Sequence, residues 1–417
     1  VLREMVVQEH AMRKFSSVVS VWVGAVVCAV GSAAAQPGLV GRVGAMGDSL
    51  TDEYAEETYD YARNWVELVV ELRGGSGGVG VGPTAVEAGR PGGTWGEPRR
   101  TGFEANWARY GADSASALAE GQHTGLAGMV GTAGGGGGGG EGGVTHAVVA
   151  IGANDFAPTS DAYFNIYFGL WSSSRITTYV NQRVANIRAA VTTLRAAGAE
   201  VVLCNVVDFG IVPAARQFYT NAGNRQRVAN AIARVNLGVA ALAEEKGTVL
   251  VDTAGLATAL LGTHANLRQT LVIGGVGVGV TRRDTAGNTD PLAGFVDDGA
   301  HPHTTIQGVF ANLMLTAMNV GWEAGYARLT EREILEAAGL GYGGAETLGA
   351  VIGTYEQYVR SFVCRADFND DGFLDFFDYD DYVAAFEAGD PRAEFNGDGF
   401  VDFFDYDEFV GSYEAGC

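Results

Sequence analysis

The chain has 417 residues, 47% of them hydrophobic, enough to build a large core and too many for a disordered protein. Its formal net charge of −22 provides no clustered Lys and Arg to meet phosphates, which excludes nonspecific nucleic-acid binding and attachment to anionic membranes. Of that charge, −14 falls in residues 364–417, where 16 acidic residues stand against 2 basic ones, an asymmetry that calls for a cation such as calcium.

Residues 1–35 carry the three parts of an export signal, to be removed on maturation: Arg13 and Lys14, an apolar stretch at 18–30, and Ala33-Ala34-Ala35 before Gln36. The apolar stretch is shorter than the roughly 20 residues a membrane-spanning helix needs, so export is expected and not residence in a bilayer. The expected location is secreted, extracellular or periplasmic, with attachment to the cell surface left open. Cys28 falls in the removed segment, which leaves Cys204, Cys364 and Cys417, too few for a disulfide scaffold. Cys204 lies in an apolar run and reads as a buried free thiol. Cys364 and Cys417 bracket the acidic tail and either clasp its ends or stay free.

Residues 36–325 alternate short apolar runs with helix-period segments, the signature of an α/β fold with a mostly parallel sheet. Strands are predicted over 40–45, 147–151, 201–206 and 248–251. Between the last three, Val180, Val184, Ile187, Val191 and Leu194, then Val228, Ile232, Val235, Val239 and Leu242, repeat at helical spacing. Glycine-rich stretches at 74–93 and 131–143, the second with seven consecutive glycines, read as flexible surface insertions. Residues 326–362 read as a helical linker in which Thr330 and Glu333 are spaced as a capping box.

Ser49 follows the first predicted strand directly, in Gly47-Asp48-Ser49-Leu50, so its hydroxyl belongs at the carboxyl edge of the sheet, where open α/β folds bind ligands. A serine hydroxyl is a weak nucleophile until a base takes its proton. Asp298 and His301, in Asp297-Asp298-Gly299-Ala300-His301-Pro302, supply a base and a group to orient it. Asp297 reads as a solvated neighbour of Asp298, and an exchange of their roles stays open. His303 lacks the spacing, and His123, His146 and His264 read as structural or surface residues.

With Ser49 in its Gly-Asp-Ser-Leu block, Gly111 in Asn106-Trp107-Ala108-Arg109-Tyr110-Gly111, Asn154 in Gly152-Ala153-Asn154-Asp155, and Asp298 with His301 in an Asp-x-x-His block, the sequence resembles the SGNH hydrolase family, also called GDSL esterases and lipases, over about residues 38–320. The resemblance implies a flavodoxin-like three-layer α/β/α domain. It also implies a secreted serine esterase that cleaves carboxylic esters, of O-acetylated carbohydrate or of lipid, through an acyl-enzyme. Ser49, Asp298 and His301 would be catalytic, and the backbone of Ser49 and Gly111 with the amide of Asn154 would form the oxyanion hole. Gly92 or Gly93 rivals Gly111. No cofactor is expected for catalysis. Two alternatives stay open: a calcium-dependent attachment or binding protein with an inactive hydrolase domain, and an acyltransferase using the same residues.

Residues 363–417 contain a duplicated twelve-residue loop with EF-hand ligand spacing. The first loop offers Asp367, Asn369, Asp371, the carbonyl of Phe373, Asp375 and Asp378, and the second Glu394, Asn396, Asp398, the carbonyl of Phe400, Asp402 and Asp405. Two Ca²⁺ sites are expected. Each loop leads into a helix with an apolar face, Tyr379, Tyr382, Val383 and Phe386 in one and Tyr406, Phe409, Val410 and Tyr413 in the other. Asp at the twelfth position resembles dockerins, small paired-loop modules of secreted proteins. Glu394 at a first position, and Phe376, Phe377, Phe403 and Phe404 where dockerins carry recognition residues, depart from that pattern. The module either docks to a protein or cell-surface partner or folds around calcium alone.

Overall fold

The structure is a computed structural model that describes residues 42–75, 78–96, 98–131, 143–287, 289–362, 366–369, 374–395 and 400–415. The export signal with Cys28, residues 132–142 of the second glycine-rich insertion, and Cys364 and Cys417 with their clasp lie outside the described residues.

Eight strands are described: β1 (Arg42–Gly47), β2 (Val144–Ala150), β3 (Glu200–Cys204), β4 (Val249–Val251), β5 (Leu271–Ile273), β6 (Val276–Arg283), β7 (Ala293–Phe295) and β8 (Val359–Ser361). The main sheet runs β1-β2-β3-β4-β8, and β5-β6-β7 form a second, smaller one. The first four strands are parallel and β8 is antiparallel to β4, which makes the main sheet mixed. Gly47 pairs with Ala150, Val149 with Leu203, and Cys204 with Val251. That register brings the carboxyl ends of all four parallel strands to one edge.

β-Branched residues suit these buried strands because their side chains fit a pleated surface covered on both faces. Val148, Val149, Val202, Leu203 and Val251 are fully buried. The helices Ser173–Ala196 and Ala222–Glu245 pack on each other and bring Ile187, Val191 and Leu194, and Val235, Val239 and Leu242, into the core, as their spacing predicts. The helices Trp65–Arg73 and Thr304–Trp322 form a second packed pair. Each fully buried aliphatic side chain contributes about 1.5–3 kcal/mol relative to its exposed state. Cys204 is a buried free thiol, as its apolar run predicts, and burial pushes its pKa up to about 12. Among the described residues no helix is long and apolar enough to cross a membrane.

Four features differ from the sequence reading. Residues 326–362 are not simply a helical connection: two short helices, Glu331–Ala337 and Gly349–Ile352, precede β8, and Ile334, Leu335, Leu348 and Ile352 join the main core. β8 escapes detection because its three residues are too few for a period, while exposed Arg360 and Ser361 suit an edge strand. Part of the first glycine-rich stretch is interior, since Val79 and Val81 are buried and the Gly80 carbonyl accepts the Val43 N–H at 2.8 Å. That irregular backbone, with Ala105 bonded to Ala45, flanks β1 where a flavodoxin-like order would place another strand. The sheet β5-β6-β7 was not predicted, because glycines occupy alternate positions of Val276–Arg283 and remove the polar half of the strand signal.

The helices Phe376–Ala388 and Phe403–Ala415 share a separate apolar cluster in which Tyr382 and Phe409 stack with centroids 3.7 Å apart. The two predicted apolar faces therefore do meet.

Candidate active site

The nucleophile candidate sits on a turn that the local sequence dictates. Where β1 ends, the N–H groups of Thr51 and Asp52 both donate to the Asp48 carbonyl at 2.9 Å, and Leu50 N–H donates to Asp48 Oδ1 at 3.0 Å. Gly47 permits this because a side chain there would meet the Ala150 carbonyl at 2.5 Å. The turn is pinned from outside: Asn106 donates to the Thr51 carbonyl at 2.8 Å, Asn64 to the Asp52 carbonyl at 2.7 Å, and the Trp65 indole to Thr51 Oγ1 at 3.3 Å. Burial raises the Asp48 pKa to about 7, against the opposing pull of the Leu50 N–H and of His301.

Ser49 Oγ lies 2.6 Å from His301 Nε2, and His301 Nδ1 lies 2.5 Å from Asp298 Oδ2. Hydroxyl, imidazole and carboxylate thus stand in one chain, although 252 positions separate Ser49 from His301. Asp298 Oδ1 accepts the N–H groups of Ala300 at 2.7 Å and His301 at 3.0 Å, so the same carboxylate shapes the loop and faces the ring. Burial pushes the Asp298 pKa up, but the hydrogen bond and charge of His301 and these two N–H groups outweigh it and hold the group down at about 2. A carboxylate that stays ionised can fix one imidazole tautomer, leaving Nε2 to accept the serine proton. His303 instead caps the helix Thr304–Trp322, its Nδ1 accepting the Thr304 N–H. His264 pairs with Asp208 at 2.7 Å.

The remaining predicted residues gather at the same edge. Gly111 is tied on both sides: the preceding Tyr110 N–H donates to Asp52 Oδ2 at 2.6 Å, and the following Ala112 carbonyl accepts from Asn154 Nδ2 at 3.0 Å. Its φ of +75° explains the glycine better than close approach does, since a Cβ there would meet nothing within 4 Å. Asn154 follows β2, and the neighbouring Asp155 is clamped by Arg183 at 3.0 Å and by the N–H and hydroxyl of Ser114.

Three tyrosines complete the surroundings, and sequence reasoning did not single them out. Tyr59 donates to Asp298 Oδ2 at 2.9 Å, and burial followed by the Asp298 charge pushes its pKa well above the ordinary value, which keeps it a donor. Tyr54 donates to the Pro302 carbonyl at 2.9 Å and accepts from Gln307 at 2.7 Å, joining the Ser49 turn to the His301 loop. The Tyr110 ring lies 5.9 Å from the His301 ring. For Tyr54 and Tyr59 the run of aromatic and acidic residues after Thr51 was the available signal.

Two cavities lie nearby, one bordered by Asp48 and Leu50 and the other by Asn154 and Asp155, and neither lining includes Ser49 or His301. One, of about 90 Å³, is lined mainly by apolar groups, among them Leu50, Ile151, Phe209, Phe295 and Met314. The other, of about 640 Å³, mixes polar and apolar groups and includes Asn154, Asp161, Trp171, Arg175 and Gln182.

A model of the GDSL-like Lipase/Acylhydrolase family matches residues 45–309, more than half of the chain, and spans Ser49, Gly111, Asn154, Asp298 and His301. The chain belongs to that family. It is an ester-hydrolysing enzyme. Solved structures similar to this GDSL-like hydrolase include TesA, at 16% identity and TM-score 0.34, with 67% of this chain and 98% of that one covered. An acetyl-xylooligosaccharide esterase from Geobacillus Stearmophilus matches at 15% identity and TM-score 0.33, covering 68% and 98%. An extracellular lipase from Streptomyces rimosus matches at 14% identity and TM-score 0.31, covering 67% and 99%. At such scores the assignment rests on the family model. No curated protein matches the chain.

Outside the matched span of this hydrolase, the calcium-loop candidates are described in part. Asp371, Phe373, Asn396 and Asp398 lie outside the described residues. Asp378 and Asp405 are fully buried and play parallel parts: Asp378 accepts the N–H groups of Asp375 and Asn369 at 2.8 and 3.2 Å, and Asp405 those of Asp402 and Phe395 at 2.8 and 2.6 Å. Asp375 and Asp402 accept the N–H groups of Phe377 and Phe404, starting their helices. Asp367, Asn369, Glu394 and Phe400 are described, but no three carboxylates of the loops converge among the described residues. Phe376, Phe377, Phe403 and Phe404 are 66–69% exposed.

Proposed function

We propose that the protein is a secreted serine esterase acting through an acyl-enzyme: Ser49 attacks the ester carbonyl, His301 takes the proton and returns it to the departing alcohol, and Asp298 orients and stabilises the imidazolium. Water then repeats the sequence to release the acid. The observation that carries this reading is the unbroken chain from Ser49 Oγ through His301 to Asp298, at 2.6 and 2.5 Å. The N–H groups of Ser49 and Gly111 and the amide of Asn154 receive the oxyanion, a role worth about 3–4 kcal/mol per donor in measured cases.

The ester is carried by carbohydrate or by lipid, and Trp171, Arg175 and Gln182, which line one cavity with Asn154, offer stacking and hydrogen-bonding groups to a hydroxyl-rich alcohol. The paired C-terminal loops bind two Ca²⁺ ions in this reading, supported by the parallel roles of Asp378 and Asp405 and by the −14 charge of residues 364–417. The four exposed phenylalanines support docking of that module to a protein or surface partner.

The test is hydrolysis of a short-chain nitrophenyl ester and of a panel of acetylated sugars by the mature chain. The reading expects turnover that Ser49→Ala abolishes. Equal activity in Ser49→Ala would exclude it.

A further inference from the structure

Asp52, Glu53 and Glu56, in the stretch after Ser49, each place a carboxylate oxygen within 4.8 Å of the other two. Two oxygens that both lie about 2.4 Å from one ion, the usual calcium distance, can be no farther apart than that. The group is interior: Asp52 is 1% and Glu53 4% exposed, and the Glu56 side chain 9%. Each carboxylate is anchored through one oxygen. Tyr110 N–H donates to Asp52 Oδ2 at 2.6 Å, Phe103 N–H to Glu53 Oε1 at 2.9 Å, and the Thr101 hydroxyl to Glu56 Oε1 at 2.5 Å.

Among the described residues one guanidinium pairs with this group. Arg109 Nη1 lies 3.5 Å from Asp52 Oδ2 and 3.5 Å from Glu56 Oε2, so one guanidinium is shared by two of the three carboxylates. Burying like charges together is unfavourable unless a cation or protons offset them. A separate observation points the same way: Asp52 Oδ1 is buried and has no hydrogen-bond partner, and with Oδ2 committed to Tyr110 and Arg109 it is the atom left to offer a ligand. Orphaned buried acceptors of this kind ask for an ion or a proton. Both carboxylate oxygens of Glu57 are likewise buried and unpartnered, so the next acidic residue adds no compensation.

We propose that Asp52, Glu53 and Glu56 bind one divalent cation of the calcium type, a site distinct from the C-terminal loops. Oxygen-only ligands suit such a hard ion, and its charge offsets the mutual repulsion of the three carboxylates. Through these ligands and their partners the ion joins the stretch after Ser49 to residues 101–110, immediately before Gly111. It takes no part in acyl transfer.

Terbium replaces calcium at oxygen sites and luminesces when a nearby tryptophan passes energy to it. Trp65 donates to Thr51 beside Asp52, and the Trp95 indole donates to the Gly102 carbonyl at 3.0 Å, one residue before Phe103. Residues 363–417 contain no tryptophan, so selective tryptophan excitation separates this site from the C-terminal loops. The full chain should show saturable, calcium-displaceable terbium emission, unchanged in Asp375→Asn/Asp402→Asn and weakened at least about tenfold in affinity in Glu53→Gln/Glu56→Gln. Should that double variant lose its circular dichroism spectrum, Glu56→Gln alone is read against the same threshold. Absence of tryptophan-sensitised emission from the unaltered chain, or an affinity unchanged in folded carboxamide variants, overturns the proposal. So does a wild type that gives no emission while the double variant unfolds at higher temperature, which indicates shared protons in place of an ion.

Discussion

Replacing Asp298 by Asn keeps the shape of the side chain and removes the property the site depends on. Oδ1 accepts two backbone N–H groups, while Oδ2 faces His301 Nδ1 and the Tyr59 hydroxyl. Turning the new NH₂ toward the backbone would leave two N–H groups unsatisfied, at about 1–3 kcal/mol each, so the amide oxygen takes that side. The NH₂ then points at Nδ1 and selects the tautomer with its proton on Nε2, which cannot accept the Ser49 proton. By analogy with the same change in a serine protease triad, kcat for a nitrophenyl ester should fall about 10³–10⁴-fold with KM nearly unchanged. A second effect concerns stability. The Asp298 pKa drops from 3.8 to about 2 on folding, so the carboxylate contributes up to about 2 kcal/mol that is present above pH 4 and lost as pH falls through 2. Asp298→Asn should therefore lower the melting temperature at pH 7 and flatten its acid limb. A loss of kcat below about tenfold, in a chain that folds, would refute the role assigned to this carboxylate.

The His146 ring packs at a tilt against Trp322 with ring centroids 4.4 Å apart, and burial lowers its pKa from 6.5 to about 4. The unfolded chain takes up this proton first, so up to about 3 kcal/mol of stability disappears as pH falls from 6.5 to 4; melting curves of His146→Gln should show a shallower decline across that window. Tyr54→Phe removes the bonds to Pro302 and Gln307, and chemical denaturation should report a loss of about 2 kcal/mol, with kcat falling more than KM rises because the His301 loop loses its tie. Gly111→Ala forces a side chain into a φ of +75°, at about 1–2 kcal/mol, and by shifting the N–H should cut kcat up to about 10²-fold, whereas Gly92→Ala should leave kcat unchanged.

The parallel strands were legible because short β-branched-rich runs are bounded by Gly, Asp or Asn, and the two long helices because Val180 to Leu194 and Val228 to Leu242 keep one helical face. The site was legible through its order along the chain. Ser49, Gly111, Asn154, Asp298 and His301 each lie at or beyond an element end, and the register of β1, β2 and β3 brings those ends together. What stayed hidden depends on distant partners. Nothing local marks Tyr59 as a neighbour of Asp298, 239 positions away, or assigns Val359 to the sheet edge beside Val251. Val79 and Val81 were lost among glycines that suggested exposure, because composition cannot say which side of a loop faces the core.

The account turns on whether Ser49 is an activated nucleophile. Labelling the mature chain with a fluorophosphonate, followed by peptide mapping, measures this directly, since the reagent reacts only with a serine whose proton a base can take. One label per chain on the peptide holding Ser49, lost in Ser49→Ala and strongly slowed in His301→Ala, is the predicted result. An unlabelled Ser49 in a folded chain that still hydrolyses esters would contradict it.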